Sequence, residues 1–274
     1  MSAPVPFSAT VAARSIAGAT VHFHLGDDWQ QGRTAYGGVV AALAAQAMRD
    51  VAGAEWPAGV TLRSLQCAFV SVVEPGDVEV QVERLRQGRN MAQVLARIGN
   101  PGRLGSVLIG VYGADRASAL TPRHPQRPPA RAEAEALPDM PFIPGLMPPF
   151  LQHVETRVCD GARPFSGTPS SRSVVHMRLR DADAQAIEPE VLAVLLGDIP
   201  ATPALSEPTE RAVTSSVTWS LELRPVPAPL GAGWWRIDSE SLLVAGGTIN
   251  HVARLWAPDG RLAALGSQVV TAFA

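Results

Sequence analysis

Two short runs of the chain are apolar at nearly every position. Residues 39–48 read Val-Val-Ala-Ala-Leu-Ala-Ala-Gln-Ala-Met, and residues 191–196 follow Pro189, a residue suited to a first helical turn. A surface helix carries a polar stripe. These runs carry almost none, so each is predicted to be a helix buried on most sides. Neither approaches the roughly 20 residues needed to span a bilayer. Around them the pattern changes to strands bounded by turn residues. In the first half these are residues 19–25, 61–73, 78–84, 91–98 and 104–112, the last two forming a hairpin about Asn100-Pro101-Gly102. In the second half they are residues 154–159, 173–179, 215–223, 234–243, 248–256 and 261–273, with a hairpin about Pro258-Asp259-Gly260. Residues 1–18 read as a loose start.

The halves overlay. Ala96-Arg97-Ile98 before Pro101-Gly102-Arg103-Leu104 matches Ala253-Arg254-Leu255 before Asp259-Gly260-Arg261-Leu262, and Leu65, Cys67 and Phe69 match Trp219, Leu221 and Leu223. Between them, prolines recur at 122, 125, 128, 129, 138, 141, 144, 148 and 149. Each removes a donor and fixes a dihedral, so this stretch reads as linker, with Phe142, Ile143, Leu146, Met147 and Phe150 packing its end onto a domain. The expected organisation is a repeat over residues 1–114, a linker over 115–150 and a second repeat over 151–274. One buried helix for about five strands in each repeat requires a sheet that curls around its helix.

Composition narrows the chemistry. Of the 274 residues 46% are hydrophobic, enough for a sizeable core, and the net charge of −2 argues against nucleic acid or an anionic membrane as partner. All 23 basic residues are arginine, which excludes Schiff-base and P-loop lysine chemistry. Cys67 and Cys159 lie far apart with no metal-ligand spacing, and the start has no signal-peptide core, so a reduced cytoplasmic chain is expected. His22 and His24 share a strand face but lack a third ligand, and no metal or cofactor is expected. There is no Gly-x-Ser-x-Gly elbow and no Gly-x-Gly-x-x-Gly. No paired Asp and His follow either helix, as dehydration chemistry would need.

Several motifs lie around these elements. Trp29, Gly32-Arg33, Tyr36-Gly37-Gly38 and Leu85-Arg86-Gln87-Gly88-Arg89 stand in the first half. Leu195-Leu196-Gly197-Asp198, residues 214–220, Leu223-Arg224-Pro225, Asp259-Gly260-Arg261-Leu262 and Gln268 stand in the second. This text resembles the acyl-CoA thioesterase II group of the thioesterase-like superfamily. The resemblance implies an α+β tandem (double) hotdog, two antiparallel sheets each wrapped around a central helix. It also implies hydrolysis of an acyl-CoA substrate, a homo-oligomer, and a water held by an aspartate, a threonine or serine, and a glutamine. By position these are Asp198, Ser215 and Gln268. A non-catalytic acyl-CoA or lipid-binding hotdog protein would carry much of the same text.

The residues bear on these roles. Asp198 follows Leu195, Val194 and Val191 by three, four and seven positions, at a helix end where Ile199 precedes a proline. Apolar surroundings and a helix carboxyl end both raise a carboxyl pKa, which suits a general base; action as a nucleophile is the alternative. Strand alternation puts Ser215, Val217, Trp219, Leu221 and Leu223 on the face toward the helix. Gln268 lies in a strand apolar on both faces, so alternation does not place it. On the substrate side the candidates are Tyr36, Gly37, Gly38 and Arg89. The glycines open a helix start whose N–H groups and dipole favour an anionic oxygen. Arg33, Arg86 and Arg89 are candidates for CoA phosphates, with a strand-bulge role open for Arg86 and Arg89.

Overall fold

The computed structural model describes residues 4–199, 202–225 and 233–273. The elements in chain order are α1 (Phe7–Ala12), β1 (Ser15–Ala17), β2 (Thr20–Leu25), β3 (Gln30–Gln31), β4 (Thr34–Ala35), α2 (Gly37–Ala52), β5 (Thr61–Phe69), β6 (Gly76–Gln87), β7 (Met91–Asn100) and β8 (Arg103–Gly113). After the linker come β9 (Val154–Asp160), β10 (Arg172–Leu179), α3 (Pro189–Gly197), β11 (Val213–Leu223), β12 (Trp235–Ala245), β13 (Thr248–Trp256) and β14 (Leu262–Phe273). Short 3-10 turns punctuate the connections.

The two expected sheets are in fact one. Twelve strands run β1-β2-β6-β7-β8-β5-β11-β14-β13-β12-β10-β9, and every pair is antiparallel. The join is β5 against β11, with Cys67 opposite Trp219 and Leu65 opposite Leu221. Each half would otherwise end in an unpaired edge there, and pairing the edges satisfies both rows of backbone groups. Within each half the strand order is the same: β2-β6-β7-β8-β5 in one, β10-β12-β13-β14-β11 in the other.

Both apolar runs are buried helices. From Gly38 to Met48 every residue of α2 is buried, as is every residue of α3 from Glu190 to Gly197. They share one core with the inward side chains of the sheet, including Val80, Val94, Leu65, Trp219, Leu221 and Ile237. The two helices run antiparallel. The amino end of α2 lies beside the carboxyl end of α3, while Arg49 near the other end of α2 pairs with Glu190 in the first turn of α3. Each charge of that pair also complements the dipole of its own helix.

Two connections differ from expectation. Residues 1–3 of the predicted loose start lie outside the described residues, but residues 7–17 are ordered into α1 and β1. A six-residue helix is too short to be stable by itself. It is held by tertiary contacts: Phe7 is buried edge-on to Trp29, and Ser8 gives its N–H and hydroxyl to the Asp181 carboxylate. The proline-rich stretch is a packed strap. Arg157 donates to the carbonyls of Ala134 and Leu137 and Arg236 to that of Pro128, while Ala134 and Leu137 are buried. Its end is fixed by Phe150 stacked on Tyr36 and His153 stacked on Trp29, each at 4.0 Å between centroids.

Candidate active site

The site forms where α3 ends. Asp198 is the C-cap residue of α3, directly after Gly197, and keeps only part of its side chain accessible. The helix that precedes it is apolar all round, so its carboxylate is carried into the core rather than out to solvent. One of its oxygens, Oδ1, accepts from Gln268 Nε2 at 2.9 Å. The Gly38 N–H, at the start of α2, donates to the same carboxylate. Asp198 makes no ion pair among the described residues. Burial is the largest influence and raises its pKa from the ordinary 3.8 to about 7, against the two hydrogen bonds, which pull it down. The α2 dipole also favours the charge, so the expected penalty from α3 is partly offset by the helix facing it.

Gly37 explains why a glycine opens α2. A Cβ on it would stand 2.7 Å from Asp198 Oδ2 and 3.2 Å from the Phe69 ring. No side chain fits between the helix start and the carboxylate.

Gln268 lies on β14 and is 6% exposed. Its Nε2 donates to Asp198 Oδ1 and also, at 2.8 Å, to Ser216 Oγ. Sequence alternation chose Ser215, and the structure corrects it. Ser215 is exposed, and its hydroxyl donates only to the Ser216 carbonyl. Trp219, Leu221 and Leu223 do face the helices, but the register of β11 on β14 shifts between Ser216 and Thr218. The extra residue, Val217, reverses the alternation beyond it, and Ser216 turns inward instead.

The substrate-side candidates divide. Gly37 and Gly38 border the carboxylate as described. Tyr36 does not face a cleft: it is 1% exposed, its hydroxyl donates to the Leu195 carbonyl at 2.9 Å, and its ring stacks on Phe150. It is a strut between the two halves. Arg89 is exposed in the turn between β6 and β7. Register puts Met91, two residues further on, opposite Gly113, and Gly113 opposite Thr61, the far end of β5 from Phe69. At about 3.3 Å per residue that is about 26 Å along the strand from the carboxylate's neighbour. Arg89 is therefore not part of this cluster.

The sequence reading also missed His251. It is 8% exposed on β13, directly opposite Gln268, and contacts the glutamine side chain. Across the sheet, Cys67, Trp219, Gln268, His251 and Ser241 form one row on the inner face. Burial and the nearby Asp198 charge both push the Cys67 thiol up, so it is un-ionised and unreactive. Both cysteines are free. Among the described residues no group of three or more His, Cys, Asp or Glu is arranged to hold a metal, and no helix is long and apolar enough to cross a membrane.

Comparison with known proteins identifies the family. The family model for the acyl-CoA thioesterase C-terminal domain matches residues 133–272, and that for the N-terminal domain matches residues 25–113. No curated protein matches. A hotdog-fold protein of unknown function from Alicyclobacillus acidocaldarius superposes with a TM-score of 0.80 at 17% identity, covering 98% of both chains. The tesB protein of Mycobacterium avium subsp. paratuberculosis superposes at 0.75 with 15% identity over 98% of both chains. Acyl-CoA thioesterase II TesB2 of Mycobacterium marinum does so at 0.72 with 15% identity over 96% of both. At such identities the likeness establishes the hotdog fold, and the family models, one of which spans half the sequence, establish the rest: this chain belongs to the acyl-CoA thioesterase family, enzymes that hydrolyse a thioester.

Proposed function

We propose that water, activated by Asp198 and held by Ser216 and Gln268, attacks the carbonyl of an acyl-CoA thioester. The observation that carries this is the Gln268 amide, which bonds Asp198 Oδ1 and Ser216 Oγ with the two hydrogens of one nitrogen. Those hydrogens diverge by about 120°, so the two oxygens stand about 5 Å apart, a gap one water spans with two ordinary bonds. Ser216 donates to that water, and the water donates to Asp198. A lone pair is left for the attack. With its pKa near 7, Asp198 is ionised in a large fraction of molecules at neutral pH and is basic enough to take the proton.

The chemistry then closes without a covalent enzyme intermediate. Asp198 takes the proton, and the hydroxide adds to the thioester carbon. The Gly37 N–H receives the negative oxygen. Val39 and Val40 already donate to the Tyr36 carbonyl and Gly38 to Asp198, so Gly37 is the first-turn N–H left over. Such a donor is typically worth about 3–4 kcal/mol in the transition state. Collapse breaks the carbon–sulfur bond, and the proton on Asp198 passes to the CoA thiolate.

We read the chain as a tandem hotdog, with repeats over 1–114 and 151–274 and a connecting segment over 115–150. The equal strand order of the two halves supports this. A homo-oligomer in the cytoplasm is the proposed setting, on the resemblance and the two free cysteines. The test is thiol release from a short-to-long acyl-CoA series across pH. Turnover with an acid limb near pH 7 is expected. No turnover at any chain length, or a rate flat from pH 5 to 8, would overturn the reading.

A further inference from the structure

Gln268 can hold Asp198 and Ser216 only if its amide points one way. An amide has nearly the same shape after a half turn, so something must choose. Its Nε2 is fully committed, which leaves Oε1 for another partner. The side chains that flank it in the sheet are Trp219 and His251. Trp219 turns its indole nitrogen toward Gly266. Directly opposite residues on an antiparallel pair bring their Cβ atoms to about 4.5–5.5 Å, so the His251 ring reaches the amide. Burial pushes the imidazole down to about 4, so it is neutral and carries a single N–H. Its Nδ1 is buried with no partner of its own among the described residues.

We propose that His251 is a positioning residue: its ring N–H donates to Oε1 of Gln268 and fixes the amide with Nε2 toward Asp198 and Ser216. The inference rests on the roles assigned above to those three residues. The reversed amide sets Oε1 against the Asp198 carboxylate, which rejects it, and forfeits the imidazole N–H unless the ring also moves its proton to the other nitrogen.

The test is His251→Phe, made in the wild-type enzyme and again in a Gln268→Leu background. Phenylalanine keeps the ring and removes the N–H. In the wild type kcat is expected to fall at least tenfold with KM within twofold. In the Gln268→Leu background the same substitution should change kcat less than twofold, because the amide it orients is gone. An unchanged kcat in the first case, or an equal loss in both backgrounds, overturns the inference. Full activity of Gln268→Leu alone overturns the hydrolytic assignment beneath it, so the two failures are distinguishable. If His251→Phe does not fold, nitrogen NMR of the assigned His251 ring in the intact enzyme decides. A neutral ring at pH 7 whose N–H resonance moves in Gln268→Leu is expected, and one indifferent to that change refutes the inference.

Discussion

Replacing Asp198 by asparagine should make the protein more stable and leave it inactive. In the fold the carboxyl pKa rises from 3.8 to about 7. The native state therefore favours the protonated form, and ionising Asp198 costs stability. Below the unfolded pKa that cost is absent. It grows as pH climbs from 3.8 toward 7, and is constant above. At 1.36 kcal/mol per pH unit the full cost is about 4 kcal/mol. Asparagine never ionises and escapes it. It also turns an NH2 toward either Gln268 or Gly38, which now donate to oxygens, at a cost of about 1–2 kcal/mol. The net gain should be near zero at pH 5 and about 2–3 kcal/mol at pH 8, worth several degrees in Tm for a chain of this size. Thermal unfolding of both proteins from pH 5 to 8 measures it, alongside thiol release from acyl-CoA. Turnover should fall by at least about 10²-fold, the usual contribution of a general base. A stability difference that does not change with pH, or an asparagine variant weaker than wild type at pH 8, would show that Asp198 is not a strained buried carboxylate. The base assignment would then lose its foundation.

Ser216→Ala should lower kcat about 10- to 100-fold while Ser215→Ala stays within twofold, and the opposite ranking in the same assay would restore unbroken alternation along β11. Gly37→Ala pushes a methyl to 2.7 Å from Asp198 Oδ2, so kcat should drop at least tenfold; a fully active variant would refute the close approach. Arg49→Met strands Glu190 in the core, where burial already raises its pKa, and should cost about 3 kcal/mol in urea unfolding. Adding Glu190→Leu should return most of it, and a single variant costing under about 1 kcal/mol would contradict that.

Much of this architecture was legible in the pattern of side chains. The two all-apolar runs became α2 and α3, because a segment without a polar stripe has nowhere to go but the core. The strands and both late hairpins follow from alternation and from Pro-Gly and Asp-Gly turns. Asp198 was legible as an acid at the tail of an apolar helix, a placement that burial alone makes unusual. Two of the misses share one physical cause, the shift of register. Val217 carries no glycine to announce a bulge, so Ser216 and Ser215 could not be told apart by counting. Counted from the Trp256–Leu262 pair, residue 251 should face 267; a shift between Leu255 and Trp256 brings it to 268, and so His251 went unseen. The join of β5 to β11 was hidden for another reason: an edge that pairs with another edge has the same residues as one that does not. Tyr36 precedes the glycines and so reads in the sequence as a ligand contact, whereas its hydroxyl is spent on the Leu195 carbonyl.

Arg157 and Arg236 fasten the proline-rich strap to the second half by its carbonyl oxygens, while the helix start beside Asp198 belongs to the first. The covalent tether thus does no chemistry; its work is to keep two incomplete pieces at high local concentration. If the chain were expressed as two polypeptides divided within residues 115–125, neither would hydrolyse anything alone. The rate of the mixture would rise with the product of their concentrations, until the shared sheet had reassembled and the kinetics became those of the undivided molecule.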